Sequence, residues 1–383
     1  MVETVKIGPY HPALFEPQVF NVTVKDGKIT NVDMELGYVH RSIEKLMTTK
    51  TYNQNVFLAE RVCGICSAAH STVYCETVEK VFDVQVHDRA RYIRTVFFEL
   101  ERLESHYLIL ALLSHSLHEE EYFTKILSDR ELLMDLFEHT TGNRVHYAVN
   151  KIGGVRVDLT PTTIQKMKKV TNKLRKLSNH ILQAFGDNGA FTPKIKGKGI
   201  LTKEKALVLG AVGPTLRGSR VKSDTRKDDP YAAYGDLSFE IPVGSDGDVY
   251  DRHLVRAKET IESINIIEQA LDSLPEGPIQ EEVGAPLETQ ALGRVEAPRG
   301  ELIYFIKSDG TDVPERVKIR TPSFANNYSY TEIFLNQELT DFQLILESTD
   351  PCFSCTDRLT IVDQETGKKK LLLFSALDGR ETK

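Results

Sequence analysis

ARYIRTVFFELERLESHYLILALLSHSL, Ala90 to Leu117, repeats apolar side chains at three- and four-residue spacing. That spacing gathers them on one face of an α-helix, and so long an amphipathic element implies neighbouring helices to bury it. Its most apolar part, YLILALL at Tyr107–Leu113, is flanked by His106 and His115 and reads as one stripe of a buried helix. Nowhere does an apolar run approach the ~20 residues a membrane-spanning helix requires.

Working outward, helical spacing runs from about Ser42 to Leu274. LTPTTIQKMKKVTNKLRKLSNHILQAF, Leu159–Phe185, opens with a threonine cap and a proline in the first turn. Asp248–Leu274 forms a third long helix. Towards the N terminus, VFNVTVKDGKITNVDMEL at Val19–Leu36 alternates apolar and polar residues about Asp26-Gly27, a β-hairpin pattern. Beyond the helices, ELIYFIKSDGTDVPERVKIRTP returns to strands around a Ser-Asp-Gly turn. Asn326–Glu347 reads as helix, and LTIVDQETGKKKLLLF after Arg358 reads as a short hairpin. The expected fold is mainly α with small β elements: a helical bundle with an N-terminal β-hairpin region.

The chain has 383 residues, a net charge of −7 and interspersed acidic and basic residues. A nucleic-acid binder normally shows a basic face, so that class is excluded. MVETVKIGPYHP lacks the charged-then-apolar plan of a signal peptide, which predicts a cytoplasmic protein. In a reducing compartment, close cysteine pairs are metal ligands or redox groups more often than disulfides.

Two of the five cysteines, Cys63 and Cys66, lie in ERVCGICSAAHS, and two more, Cys352 and Cys355, in DPCFSCTDR. A two-residue spacer lets both sulfurs of a pair face one ion, and a bound metal keeps each deprotonated. Cys75 reads as a small buried side chain on the helix that follows. Sulfur-only sites hold zinc or iron–sulfur chemistry. Zinc ribbons place their pairs ~15–20 residues apart, whereas these come from opposite ends of the chain. Spacing alone leaves structural zinc, a catalytic metal and unrelated thiols all open.

The flanking residues narrow this. RVCGICSAAH with DPCFSCTDR resembles the paired cysteine motifs of the [NiFe] hydrogenase large subunit. The form DPCxSCTDR is most similar to the energy-converting, membrane-associated group, which is related to complex I. GPYHPALFEP (Gly8–Pro17), YVHRSIEKL (Tyr38–Leu46), TGNRVHYAVNKIGGVRVDL (Thr141–Leu159), GAVGPTLRGSRVKSDTRKDDPYAAY (Gly210–Tyr234) and EAPRGELIYF (Glu296–Phe305) extend the likeness. Several are shared with the complex I subunit that faces the quinone, which lacks the four cysteines.

The resemblance implies a Ni–Fe centre with carbon monoxide and cyanide on iron. Cys63 and Cys352 would be terminal nickel ligands, and Cys66 and Cys355 would bridge the two metals. Soft thiolates suit such a site, and nickel would keep open positions for H2. Arg299 would stand over the iron, beside Pro298, as a fixed donor. Ser323, preceded by Pro322, would donate to a cyanide, and Asp350 would pair with Arg299. His70 would hydrogen-bond a cysteine sulfur, its alternative being a satisfied core histidine. Glu16, typical of the hydrogenase branch, would relay protons, with His11 and Glu44 as further candidates.

Implied partners are a small subunit carrying [4Fe–4S], a ferredoxin upstream, membrane ion-translocating subunits and a maturation protease. The protein would sit at the cytoplasmic face of the membrane, held by those partners. Rival readings are a same-fold module reducing quinone or a sulfur compound, and a non-catalytic subunit whose four cysteines hold zinc. Arg358 stands where most respiratory relatives end the motif in histidine, so a third metal is left unassigned. The expected organisation is an N-terminal β region (1–50), the bundle (51–280), a C-terminal region closing the metal site (281–358) and a cleavable extension (359–383).

Overall fold

The computed structural model describes residues 2–356, 358–362 and 369–372. Strands β1 (Val2–Ile7), β2 (Val19–Lys25) and β3 (Lys28–Glu35) form an antiparallel sheet in that order. The turn of the β2–β3 hairpin puts Asp26 and Gly27 at φ 52° and 82°, the positive values a two-residue turn requires.

Helices α1 (Ile43–Met47), α2 (Tyr52–Glu60), α3 (Ser67–Val81), α4 (Asp88–Ser116) and α5 (Glu120–Thr141) follow. A two-rung ladder of β4 (Asn150–Lys151) and β5 (Gly154–Val155) leads to α6 (Pro161–Ala184). Thr160 caps α6 by accepting from the Thr163 amide at 3.2 Å, with Pro161 in the first turn. Short helices α7 (Thr192–Ile195), α8 (Lys203–Val208), α9 (Gly213–Gly218) and α10 (Thr225–Asp228) precede the long α11 (Val249–Asp272). A second antiparallel sheet comprises β6 (Glu288–Ala297), β7 (Gly300–Asp309) and β8 (Arg316–Arg320). Next come α12 (Pro322–Asn326), α13 (Tyr330–Ile333) and α14 (Phe342–Glu347), then the antiparallel hairpin β9 (Leu359–Val362) and β10 (Lys369–Leu372). The rest of the expected extension, 363–368 and 373–383, lies outside the described residues.

Helix α4 is the axis of the molecule, packed against α3, α5 and α11. It is buried all round: Phe97, Leu100 and Leu103, but also Arg94, Glu99, Glu101, Arg102 and Glu104, are at most 4% exposed. Each large apolar side chain so buried contributes about 1.5–3 kcal/mol, while the charges persist only because partners surround them.

The helix expected over Asn326–Glu347 is broken. At its middle Asn336 turns to φ 63°, and the backbone of Asn336 and Gln337 exchanges hydrogen bonds of 2.9 Å with Ile29 on the edge of β3. Pairing with the hairpin satisfies those amides and carbonyls in place of a helix. No described helix is long and apolar enough to cross a membrane.

Candidate metal centre

The first cysteine pair lies in the tight link between α2 and α3. Cys63 is buried in the loop, its sulfur accepting from the Ile65 amide at 3.4 Å, and Cys66 occupies the N-cap position of α3. Glu101 of α4 fixes that helix start. Its carboxylate accepts from the Ala68 and Ala69 amides at 2.6 and 2.8 Å and from the Ser67 hydroxyl. Those amides are thus taken by Glu101, and although Cys355 pulls it down, contact with Cys63 and burial push the Cys66 thiol well above the ordinary thiol range.

The second pair follows α14. Asp350 reverses the chain at φ 53°. The Cys352 amide donates to Ser323 Oγ at 3.0 Å, and the Cys355 carbonyl accepts from Thr321 Oγ1 at 2.6 Å. Thr321 also caps α12, so this small helix holds both C-terminal cysteines. Arg41 ties the two loops together. Its guanidinium donates to the Arg61, Val62 and Ser354 carbonyls at 2.8, 3.0 and 2.8 Å.

The sulfurs converge. Cys63 and Cys352 approach to 3.4 Å, and the sulfurs of Cys63, Cys66 and Cys355 lie within 4.8 Å of one another. None of the four is more than 4% exposed, and none is in a disulfide. Hydrogen bonds from Cys352, then Cys355 and Cys66, hold the Cys63 thiol well below the ordinary thiol range, with Arg299 adding to the effect. Contacts with Cys352, Cys63 and Cys66, together with burial, push Cys355 up. A dry set of soft donors with one thiol already driven towards thiolate fits a thiophilic metal centre.

Arg299 closes one side. Its Nε donates to the Asp350 carbonyl and its Nη2 to Asp350 Oδ1, both at 2.7 Å, while Nη1 donates to Ser105 Oγ at 3.2 Å. It sits with Pro298 in the two-residue turn between β6 and β7. Gly213 at the start of α9 meets that turn so closely that a Cβ there would come within 2.4 Å of the Arg299 carbonyl. Any side chain at this contact would displace Arg299. Beside the centre, a cavity of about 240 Å³ is lined by Glu16, Arg299, Asp350 and Cys352, and Ile109 and Leu112 of α4 supply its apolar wall.

The other expected residues fall into two groups. His70 reaches the centre: Nε2 lies 3.9 Å from the Cys355 sulfur, and Nδ1 bonds the Tyr304 hydroxyl at 2.8 Å. Burial lowers its pKa to about 4, so the ring is neutral. Glu16 accepts from the Ser354 amide at 2.9 Å and from the Ser354 hydroxyl, between the two C-terminal cysteines. Glu44 is spent elsewhere. It accepts from Lys318 Nζ at 3.0 Å and the Ile319 amide at 2.9 Å, with Arg358 at 3.7 Å. His11 is exposed on its loop, accepting from the Ala13 amide. Pro322 is buried in the first turn of α12, and Cys75 is fully buried on α3. Sequence reasoning misses Arg41, Glu101, Ser105 and Tyr304. Arg41 and Tyr304 stand inside the quoted motifs, but nothing in their spacing marks a role.

Residues 120–286 and 281–358 match the family described as the respiratory-chain NADH dehydrogenase 49-kDa subunit, and residues 41–115 match nickel-dependent hydrogenase. The chain is 38% identical over 360 residues to a carbon monoxide-induced hydrogenase of Rhodospirillum rubrum, covering 93% of this chain and 99% of that one. It is 36% identical over 385 residues to a membrane-bound hydrogenase subunit alpha of Pyrococcus furiosus, covering 96% and 90%. It is also 35% identical over 364 residues to a subunit of the F(420)H(2) dehydrogenase of Methanosarcina mazei, covering 92% and 97%. The chain therefore belongs to the oxidoreductase family in which [NiFe] hydrogenase large subunits of the energy-converting, membrane-associated group stand beside the 49-kDa subunit of complex I.

Proposed function

We propose that this chain is the catalytic subunit of an energy-converting [NiFe] hydrogenase, interconverting H2 with two protons and two electrons. The observation that carries this reading is the meeting of four buried thiols from opposite ends of the chain, with Cys63 and Cys352 at 3.4 Å. A Ni–Fe centre with carbon monoxide and cyanide on iron would supply the electrophilic position for H2. Cys63 and Cys352 would hold nickel terminally, and Cys66 and Cys355 would bridge. Arg299, oriented by Asp350 and Ser105, offers a fixed cation beside the cavity, and Ser323 offers a hydroxyl held by the Cys352 amide. Such donors need little reorganisation during reaction.

Electrons reach the centre from a small subunit with [4Fe–4S], supplied by ferredoxin, and the pair docks on ion-translocating subunits at the cytoplasmic face of the membrane. Equal nickel and iron in the purified complex, with infrared bands of bound carbon monoxide and cyanide, is the expected result. Zinc in their place would leave the non-catalytic reading. A complex with neither nickel nor iron that reduces quinone or a sulfur compound would leave the other rival. The intact mass of active enzyme tests the processing step, since a full-length active chain excludes a maturation protease.

Glu16 is the proposed proton relay, because its carboxylate joins the Ser354 backbone to the cavity wall. Glu16→Gln is expected to retain both metals and to slow exchange of H2 with solvent protons by about 10²–10⁴-fold, the usual range for losing a general acid–base. Mass spectrometry of HD and D2 measures it, and a native exchange rate removes the relay.

A further inference from the structure

The stretch that carries the second cysteine pair is fastened at its far end by charge. Arg358, three residues after Cys355, donates from Nη2 to the Ile319 carbonyl at 3.0 Å and lies 3.7 Å from Glu44 Oε1. Its guanidinium covers the Phe324 ring, 4.9 Å from the centroid. Lys318 takes the other oxygen, Glu44 Oε2, at 3.0 Å, and the Ile319 amide donates to Oε1 at 2.9 Å. The three charged side chains are 13–24% exposed. They come from α1, from β8 and from the segment beyond Cys355.

A third metal bound through residue 358 would belong at this junction, and the residues present do not fit one. A hard divalent ion requires several oxygen donors, whereas arginine carries no acceptor and stays charged. Both oxygens of Glu44 are already engaged. Among the described residues, three or more His, Cys, Asp or Glu donors gather closely only at the cysteines. An ion beside Glu44 would also meet two fixed positive charges, which repel it.

We propose that Arg358 and Lys318 stand in place of a divalent ion, latching the second cysteine loop to α1 and β8 through Glu44, and that no divalent cation binds there. Arg358 is a positioning residue for Cys355. It grips the Ile319 carbonyl, and two residues on Thr321 Oγ1 donates to the Cys355 carbonyl at 2.6 Å. Cys355 and Arg358 are thus held against the same short stretch of chain. A guanidinium suits the task because its edge serves a carbonyl and a carboxylate while its face covers an aromatic ring. Such a latch forms with the fold and is indifferent to chelators. It does not depend on what the thiols hold.

Hydrogen exchange of the purified complex, read by mass spectrometry on peptides covering residues 350–358, tests the latch. In the wild type, exchange there is expected to be the same in EDTA as in Mg2+ or Mn2+, and acceleration by EDTA overturns the proposal. Arg358→Ala should accelerate it on the order of tenfold, the loss of a hydrogen-bonded charged group, and an unchanged rate overturns the latch. Should that variant fail to assemble, Arg358→Lys and Glu44→Gln supply the test. Each should loosen the segment, and the pair together should loosen it by less than the product of the two; independent effects overturn the contact. In Lys318→Gln with Arg358→His both cations are gone and an imidazole is offered. Mn2+, which accepts such a ligand, should then restore slow exchange, and no response to Mn2+ overturns the claim that the two cations hold an ion's place. Absence of nickel from the complex would defeat the hydrogenase reading and leave all of these results standing.

Discussion

Replacing Cys352 with alanine is expected to abolish H2 turnover, by on the order of a thousandfold or more, and to leave the protein without its full nickel. The change removes one of two sulfurs 3.4 Å apart while keeping the backbone contact from the residue 352 amide to Ser323 Oγ. The fold should therefore survive, and circular dichroism would report it unchanged. Cys75→Ala supplies the contrast, since Cys75 is equally buried on α3 but outside the thiol group. That variant should keep its metals. Metal analysis with gas chromatography of H2 reads both, and a Cys352→Ala protein that still makes H2 overturns the ligand assignment.

The second large effect is expected at Arg299. Alanine there strips Asp350 of two hydrogen bonds of 2.7 Å and leaves a buried carboxylate whose nearest remaining cation is Arg256 at 4.0 Å. Breaking one side of a buried ion pair destabilises by about 3–5 kcal/mol. Lysine keeps the charge but cannot reproduce a fork that also reaches Ser105. Arg299→Lys should load both metals, unfold near the wild-type temperature, and turn over H2 about 10²–10³-fold more slowly. Unfolding curves separate the two variants. If both match wild type in rate and stability, Arg299 is a bystander.

Much of the architecture is legible in local pattern. The helices expected at Ala90–Leu117, Leu159–Phe185 and Asp248–Leu274 are α4, α6 and α11, within two residues at each end. The turn at Asp26-Gly27 falls where its chemistry demands. What local pattern does not carry is partnership over long range. Asn326–Glu347 has helical spacing, yet the edge of β3 claims its middle. Strand β6 stays hidden because GRVEAPRG reads as a motif rather than as half of a hairpin.

The charged residues of α4 pose the same difficulty more sharply. Arg94, Glu99 and Arg102 look like a solvated face until Glu79, Arg226 and Glu296 are brought to them from distant segments. DTRKDDPYAAY, which by itself offers no mechanism beyond subunit contacts or a charged path, supplies Asp224 and Arg226 to that interior. At the centre, the cysteine spacing points to a metal, and the family likeness points to the pairing of Asp350 with Arg299. The staples, Arg41 and Glu101, act through backbone carbonyls and amides that no side-chain pattern reveals.

Cys63 and Cys352 lie 289 positions apart. A ribosome therefore exposes the first pair of thiols long before it delivers the second. Two thiols at the rim of an unfinished core grip a passing ion far less firmly than four in a closed sphere. Only when the segment after α14 packs beneath Arg41 does the full grip exist. If the four thiols hold metal as proposed, the order of synthesis would defer its capture until that segment has folded, and the nascent chain would not commit early to whichever ion is most abundant.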